Sequence, residues 1–168
     1  DGKTYELKDK NFPTINPKNP FELTEGENTL IQSLAFSFIN SPTLQKHTNY
    51  IYAKGGIYKI FNGNLLYHGC IPTKEDGSFD DVYIDGQYLS GKRYLKQVED
   101  KVRKAFYCEA GSEEQLNALD YCWYLWCGPK SPLFGKNKMT TFERYFIEDK
   151  ETHKESYNSY YYHIDKKD

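Results

Sequence analysis

The sequence predicts an α+β fold in which helices surround short β-hairpins. Asn62-Gly63 and Asp85-Gly86 each lie between short apolar runs, a strong local signal for a two-residue hairpin turn. Several other stretches carry apolar residues at helical spacing behind capping signals. Hairpins and helices do not alternate in βαβ order, so no parallel sheet is expected.

Taken in order, residues 1 to 23 read as extended and irregular, because Pro13, Pro17 and Pro20 prevent a helix. Thr24-Glu25-Gly26-Glu27 is a capping box, and Leu30, Ile31, Leu34, Phe38 and Ile39 follow at helical spacing, predicting an amphipathic helix over 25–40. Ser41-Pro42 places an N-cap before a proline at the first helical position, and that helix runs to about Ala53 before Gly55-Gly56. Ile57–Phe61 and Leu65–Tyr67 flank the first turn, with the second strand read as buried. The hairpin around Asp85-Gly86 reads as the more exposed of the two. Tyr94, Leu95, Val98, Val102 and Phe106 form one helical face, and Ser112 with Gln115 offers a second capping box. Leu116, Leu119, Trp123 and Trp126 form an aromatic stripe on a helix ending at Gly128-Pro129. Its spacing favours core packing over a sugar platform. Beyond it the pattern weakens to the short run Tyr145–Ile147, and the tail "SYNSYYYHIDKKD" has no buried periodicity.

The 168 residues suffice for one domain or a large piece of one. Mean hydropathy is low at −0.82, yet sixteen tyrosines bring rings that pack despite their polar score. Twenty-two basic against 24 acidic residues give a net charge of −2, which offers no electrostatic case for nucleic acid or an anionic membrane. No apolar run is long enough to span a bilayer, and no N-terminal segment resembles a signal peptide. Cys70, Cys108, Cys122 and Cys127 form no C-x-x-C pair, so they read as reduced, buried thiols of a cytosolic protein rather than a zinc site. The chain begins at Asp1, which fits an expression scar or an excised internal segment.

His68 is the residue that asks for chemistry. A histidine at the end of a buried strand is held rigidly, as metal ligation requires; Gly69 leaves room for a metal or substrate to approach and Pro72 stiffens the exit. A structural role for a lone histidine fits the same pattern. His47, His153 and His163 sit in solvated or weakly patterned sequence. Lys136, Lys138 and Arg144 form a basic cluster that suits either phosphate binding or a solvated loop.

"NLLYHGCIPTKEDGSF", "LDYCWYLWCGPKSPLFGKNKMTTFERYFI" and "EDKETHKE", with "FPTIN" near the start, resemble the class III fructose-1,6-bisphosphatases, which are calcineurin-like phosphatases. The resemblance covers essentially the whole chain. It implies a partial calcineurin-like phosphoesterase segment with a helical insertion, belonging to a dinuclear, manganese-dependent enzyme that releases phosphate from fructose 1,6-bisphosphate in gluconeogenesis. His68 in "YHGCIP" matches the histidine of the superfamily's "HGG" motif and so becomes the implied metal ligand, although Cys70 stands where the second glycine usually does. Lys136, Lys138 and Arg144 are carried as substrate-phosphate contacts.

The "GD", "GNH" and "GH" elements of the superfamily's metal site do not occur here. Family members are also several times longer, so the expectation is an internal segment, inactive and weakly metal-binding by itself. Residues 1–72 would belong to the phosphoesterase core and 73–168 to an insertion. Its partners would be the remainder of its own chain and a sugar phosphate, with an oligomer compatible, and it would be cytoplasmic. The alternative is a non-catalytic interaction or ligand-binding module.

Overall fold

The computed structural model describes residues 2–164 and shows helices with two small antiparallel sheets, an α+β arrangement. The chain divides into two compact units. One comprises the residues up to Gly55 with Phe146–Glu148; the other comprises Gly56–Tyr145 and the residues from Asp149 on.

In the first unit, α1 (Glu25–Ile39) begins at the predicted capping box. The Thr24 hydroxyl accepts from the Glu27 amide, and the Glu27 carboxylate accepts from the Thr24 amide. Helix α2 (Pro42–Lys54) starts with Ser41 accepting from the Leu44 amide and Pro42 where an amide would have been unbonded anyway. The apolar face of α1 exists as spaced, but it is not covered: Leu30, Ile31, Leu34, Phe38 and Ile39 are between 48 % and 68 % exposed. The irregular N-terminal residues are tied by Lys8 donating its amide to the Phe146 carbonyl (2.8 Å) and by the Phe12 ring against Phe146.

The second unit holds the core. Strands β1 (Tyr58–Phe61) and β2 (Asn64–Tyr67) pair from Tyr58↔Tyr67 to Phe61↔Asn64. Strands β3 (Val82–Ile84) and β4 (Gln87–Leu89) pair from Val82↔Leu89 to Ile84↔Gln87. Both turns have two residues at positive φ, Asn62 and Gly63 in one and Asp85 and Gly86 in the other, the geometry that matches hairpin twist.

The burial of the two hairpins is the reverse of expectation. Leu65 and Leu66 on β2 are exposed, whereas Val82, Ile84 and Leu89 are buried with Tyr94, Val98 and Leu125. The second hairpin leads directly into α3 (Gly91–Tyr107), whose apolar face closes over it.

Helix α4 (Glu113–Cys127) packs on α3 and corrects a second expectation. Its buried residues are Ala118 and Leu125, while the stripe assigned to the core faces solvent, with Trp123 74 % and Trp126 68 % exposed. Small Ala118 lets the two helix backbones approach, which the bulky stripe would prevent. The capping box at its start is half formed. Ser112 accepts from the Gln115 amide, but Gln115 Oε1 takes the amide of Gly111 instead of that of Ser112.

After α5 (Thr141–Phe146) and a 3₁₀ turn at Lys150–His153, the tail makes a further helix, α6 (Ser159–Ile164). Contrary to the reading of an unburied tail, Tyr160 is buried, and its hydroxyl hydrogen-bonds that of Tyr67. Among the described residues, no helix is long and apolar enough to cross a membrane.

Candidate functional site

His68 follows the last paired residue of β2, so the hairpin register fixes where it emerges. It is exposed at a bend and has no hydrogen-bond partner among the described residues. The segment behind it is anchored at successive points. The Cys70 amide donates to the Pro132 carbonyl (3.0 Å), the Thr73 amide to Asn158 Oδ1 (3.1 Å), and the Asp80 amide to the Pro72 carbonyl (2.9 Å). The backbone behind the imidazole is therefore braced while the ring faces solvent.

Gly69 has a different reason from the one its sequence suggests. A Cβ there would lie 3.1 Å from the Pro132 carbonyl oxygen, so the glycine admits the 132–133 backbone. Cys70 is fully buried and packs so closely on Gly135 that a Cβ on that glycine would lie 2.8 Å from its own. Burial pushes its thiol up to about 12, which removes it as a nucleophile or thiolate ligand near neutral pH. All four cysteines are free thiols; Cys127 is exposed and Cys108 and Cys122 are half-buried, against the expectation that all are buried.

A dinuclear manganese centre does not fit these residues alone. Among the described residues, no group of three or more His, Cys, Asp or Glu side chains is placed to hold a metal ion. The other histidines lie apart from such a role. His163 Nε2 is 3.1 Å from the Lys74 carbonyl oxygen, and the His153 carbonyl oxygen lies 3.1 Å from Thr140 Oγ1. His47 lies with Lys46, Tyr50 and Ile51 along one open side of α2.

The basic cluster converges on an acid that the sequence did not single out. Lys136 Nζ donates to Glu155 Oε2 (3.0 Å) and stands 5.0 Å from the centre of the Tyr157 ring. Arg144 Nε donates to the Thr140 hydroxyl (3.0 Å), and its Nη2 lies 3.9 Å from Glu155 Oε1. Glu155 Oε1 also accepts from the Thr140 amide (3.0 Å) and hydroxyl (2.8 Å). The Thr140 amide, then the Lys136 ammonium, hold the Glu155 carboxyl down at about 2 against its burial, and Glu155 in turn raises Lys136. Lys138 stands aside, donating to the Thr152 carbonyl (3.3 Å). The structure thus brings Lys136 and Arg144 together around a single carboxylate, which pairs closely with Lys136 and more distantly with Arg144. A phosphate there would have to compete with a carboxylate held by three hydrogen bonds.

The whole chain, residues 1–168, matches the family model described as Firmicute fructose-1,6-bisphosphatase, and the chain belongs to that family. Among its curated relatives, a class 3 fructose-1,6-bisphosphatase of Clostridium novyi (strain NT) is 53 % identical over 161 residues, covering 96 % of this chain and 24 % of the relative. One from Alkaliphilus metalliredigens (strain QYMF) is 53 % identical over 163 residues, covering 96 % and 24 %. One from Clostridium tetani (strain Massachusetts / E88) is 52 % identical over 165 residues, covering 98 % and 25 %. The chain therefore spans about a quarter of the length of the curated relatives it matches. No solved structure matches it.

Proposed function

We propose that this chain is part of a metal-dependent fructose-1,6-bisphosphatase that releases the 1-phosphate of fructose 1,6-bisphosphate in gluconeogenesis. The family match along residues 1–168 carries the reading, supported by relatives named for that activity at about half identity. On this reading the chain is an internal segment of a cytoplasmic enzyme. Residues 1–72 belong to its calcineurin-like core and 73–168 to an insertion, and the segment has no activity of its own.

His68 is the residue proposed to reach the metal centre, whose chemistry when bound is to acidify a water and offset phosphoryl charge. The chain's own contribution is positional. It presents one exposed imidazole from a hairpin end whose following backbone is bonded to Pro132 and Asn158. The remaining ligands, for which manganese is the proposed metal, come from elsewhere in the polypeptide, because the described residues do not supply a set. Lys136, Lys138 and Arg144 are the residues proposed to meet the substrate phosphate; Lys136 and Arg144 share Glu155, and Lys138 is the member of the cluster without an ion pair among the described residues.

The test is manganese-dependent phosphate release by the full-length enzyme, comparing wild type with His68→Ala and His47→Ala. The reading expects His68→Ala to lose bound manganese and about a hundredfold in activity, the upper end of the roughly 10–100-fold loss typical when only a ligand's orienting partner is removed. His47→Ala should match wild type. Full manganese occupancy and activity in His68→Ala would remove the histidine from the site. A folded, metal-loaded enzyme that does not hydrolyse fructose 1,6-bisphosphate would overturn the activity itself.

A further inference from the structure

Among the described residues, an asparagine or aspartate stands directly before glycine at Asn62, Asp76 and Asp85. In such a pair the glycine nitrogen can close a five-membered ring on the preceding side chain, with no Cβ of its own to obstruct the approach. The fold treats the three differently. Asp76 Oδ1 accepts from the Ser78 amide (2.9 Å) and hydroxyl (2.6 Å). Asp85 is held by Lys101 Nζ (2.6 Å) and Gln97 Nε2 (2.7 Å). Both are carboxylates, whose negative charge repels a nucleophile. The Asn62 carboxamide is uncharged, and among the described residues it has no hydrogen bond.

The nucleophile at this turn is equally unencumbered. The ladder closes at Phe61↔Asn64, so the Gly63 amide lies beyond the last paired residues and has no partner among the described residues. Gly63 is exposed at φ 75°, with nothing within 4 Å of where a Cβ would stand, so water and base reach it. Asn64 Nδ2 donates to the Asn62 carbonyl (3.1 Å), which draws electron density from the 62–63 peptide and favours loss of the Gly63 proton. The hairpin is also lightly covered. Ile60, Phe61, Leu65 and Leu66 are exposed, whereas the Asp85-Gly86 turn belongs to the hairpin buried with α3. An exposed turn reaches the geometry of attack by local opening at little cost.

We propose that Asn62 is a site of spontaneous modification, at which the chain converts its own asparagine to isoaspartate. The Gly63 nitrogen, having given its proton to base, bonds to Asn62 Cγ; the Cγ–Nδ2 bond breaks, and Nδ2 takes up a proton and leaves as ammonia. Water then opens the succinimide at either carbonyl, giving aspartate or isoaspartate. Nothing is oxidised or reduced, and water is the co-reactant. Isoaspartate carries the main chain through Cβ, so it adds a methylene to a turn whose two residues set the register from Phe61↔Asn64 to Tyr58↔Tyr67. His68 follows that last pair and is displaced with it. The chemistry needs neither metal nor substrate and stands apart from the activity proposed above.

The experiment holds the full-length enzyme, as wild type and Asn62→Gly, at 37 °C and at pH 6.5 and 8.5. A synthetic peptide of residues 58–67 serves as the unfolded reference. Peptide mass mapping and enzymatic methyl labelling of isoaspartate follow each asparagine. Isoaspartate at position 62 of the native enzyme should form within about tenfold of the peptide's rate. It should form about tenfold faster than at Asn40 or Asn158, whose side chains must first give up hydrogen bonds with the Phe36 carbonyl (2.8 Å) and the Thr73 amide (3.1 Å). The rate should be higher at pH 8.5, because the attacking nitrogen must be deprotonated. Asn62→Gly removes the carboxamide and accepts the same positive φ, so its Tm should match wild type. Amide hydrogen exchange across residues 58–67 should quicken in aged wild type and not in aged Asn62→Gly.

A native rate more than about tenfold below the peptide's would overturn the proposal, because the folded hairpin would then protect its turn. Labelling at Asn62 no faster than at Asn158 would overturn it too. Modification without quicker exchange would overturn the displacement of His68, since the turn would have absorbed the added methylene.

Discussion

Glu155→Gln is the substitution whose effect follows most directly from the structure. The carboxylate's side chain is only 9 % exposed and accepts from the Thr140 amide and hydroxyl and from Lys136, with Arg144 close by. Its pKa falls from an ordinary 4.5 to about 2. That difference caps the charged form's contribution to folding at about 3 kcal/mol. Glutamine keeps an acceptor for Thr140 but leaves Lys136 without its ion pair, so a loss of about 2 kcal/mol at pH 7 is expected after partial solvent screening.

The pH dependence carries the sharper test. A depressed carboxyl pKa stabilises the fold above its unfolded value and loses that contribution as pH falls through the folded one. For Glu155 the loss spans from about 4.5 down to about 2. Urea unfolding of wild type and Glu155→Gln at pH 7, 5 and 3.5 should therefore show a gap that is full at pH 7, nearly full at pH 5 and reduced at pH 3.5. A gap below about 0.5 kcal/mol at pH 7, within the range of ordinary surface substitutions, would refute the claim that Glu155 organises the basic cluster. So would a gap that does not change with pH.

Two further outcomes follow from burial. Alkylation of the native chain at pH 8, read by mass spectrometry, should label exposed Cys127 first and Cys70 at least about a hundredfold more slowly, because burial keeps its thiol protonated; equal rates would mean that the Cys70 site opens freely. Tyr94→Phe should cost about 1–2 kcal/mol in a denaturation series, since the fully buried hydroxyl donates to the Lys130 carbonyl (2.9 Å) and lies 3.0 Å from the Tyr121 hydroxyl. An unchanged midpoint would show that water replaces the lost bond.

Local chemistry was legible in the sequence; coverage was not. Asn62-Gly63 and Asp85-Gly86 specify turns because both positions in each tolerate positive φ, and Thr24 and Ser41 specify helix starts because their hydroxyls accept nearby amides. Which apolar face is covered depends on the next element along. The second hairpin is buried because α3 folds back over it, and no feature of "VYIDGQYL" states that. Helix α4 is apolar on two sides, with Ala118 and Leu125 on one and the tryptophans on the other, so helical spacing could not choose between them. Size decides, because the small side allows α3 to approach.

The same distinction explains the candidate site. His68 was visible because its strand, glycine and proline are adjacent in sequence; the fold places it at a hairpin end, but of an exposed strand rather than the buried one expected. Glu155 was not, because its partners Thr140 and Lys136 are 15 and 19 residues away and only the turn at Lys150–His153 returns the chain to them. Asn158 was further hidden, since its bond to the Thr73 amide joins residues 85 apart. The tail that reads as unpatterned thus supplies Asn158 to the Thr73 amide and Tyr160 to the end of β2, and Glu155, the residue just before it, reaches the basic cluster. Its aromatic and amide residues lack periodicity because each answers a different partner. A segment of this kind is recognised by its contacts, and its loss would be felt at every feature for which this chain has a proposed role.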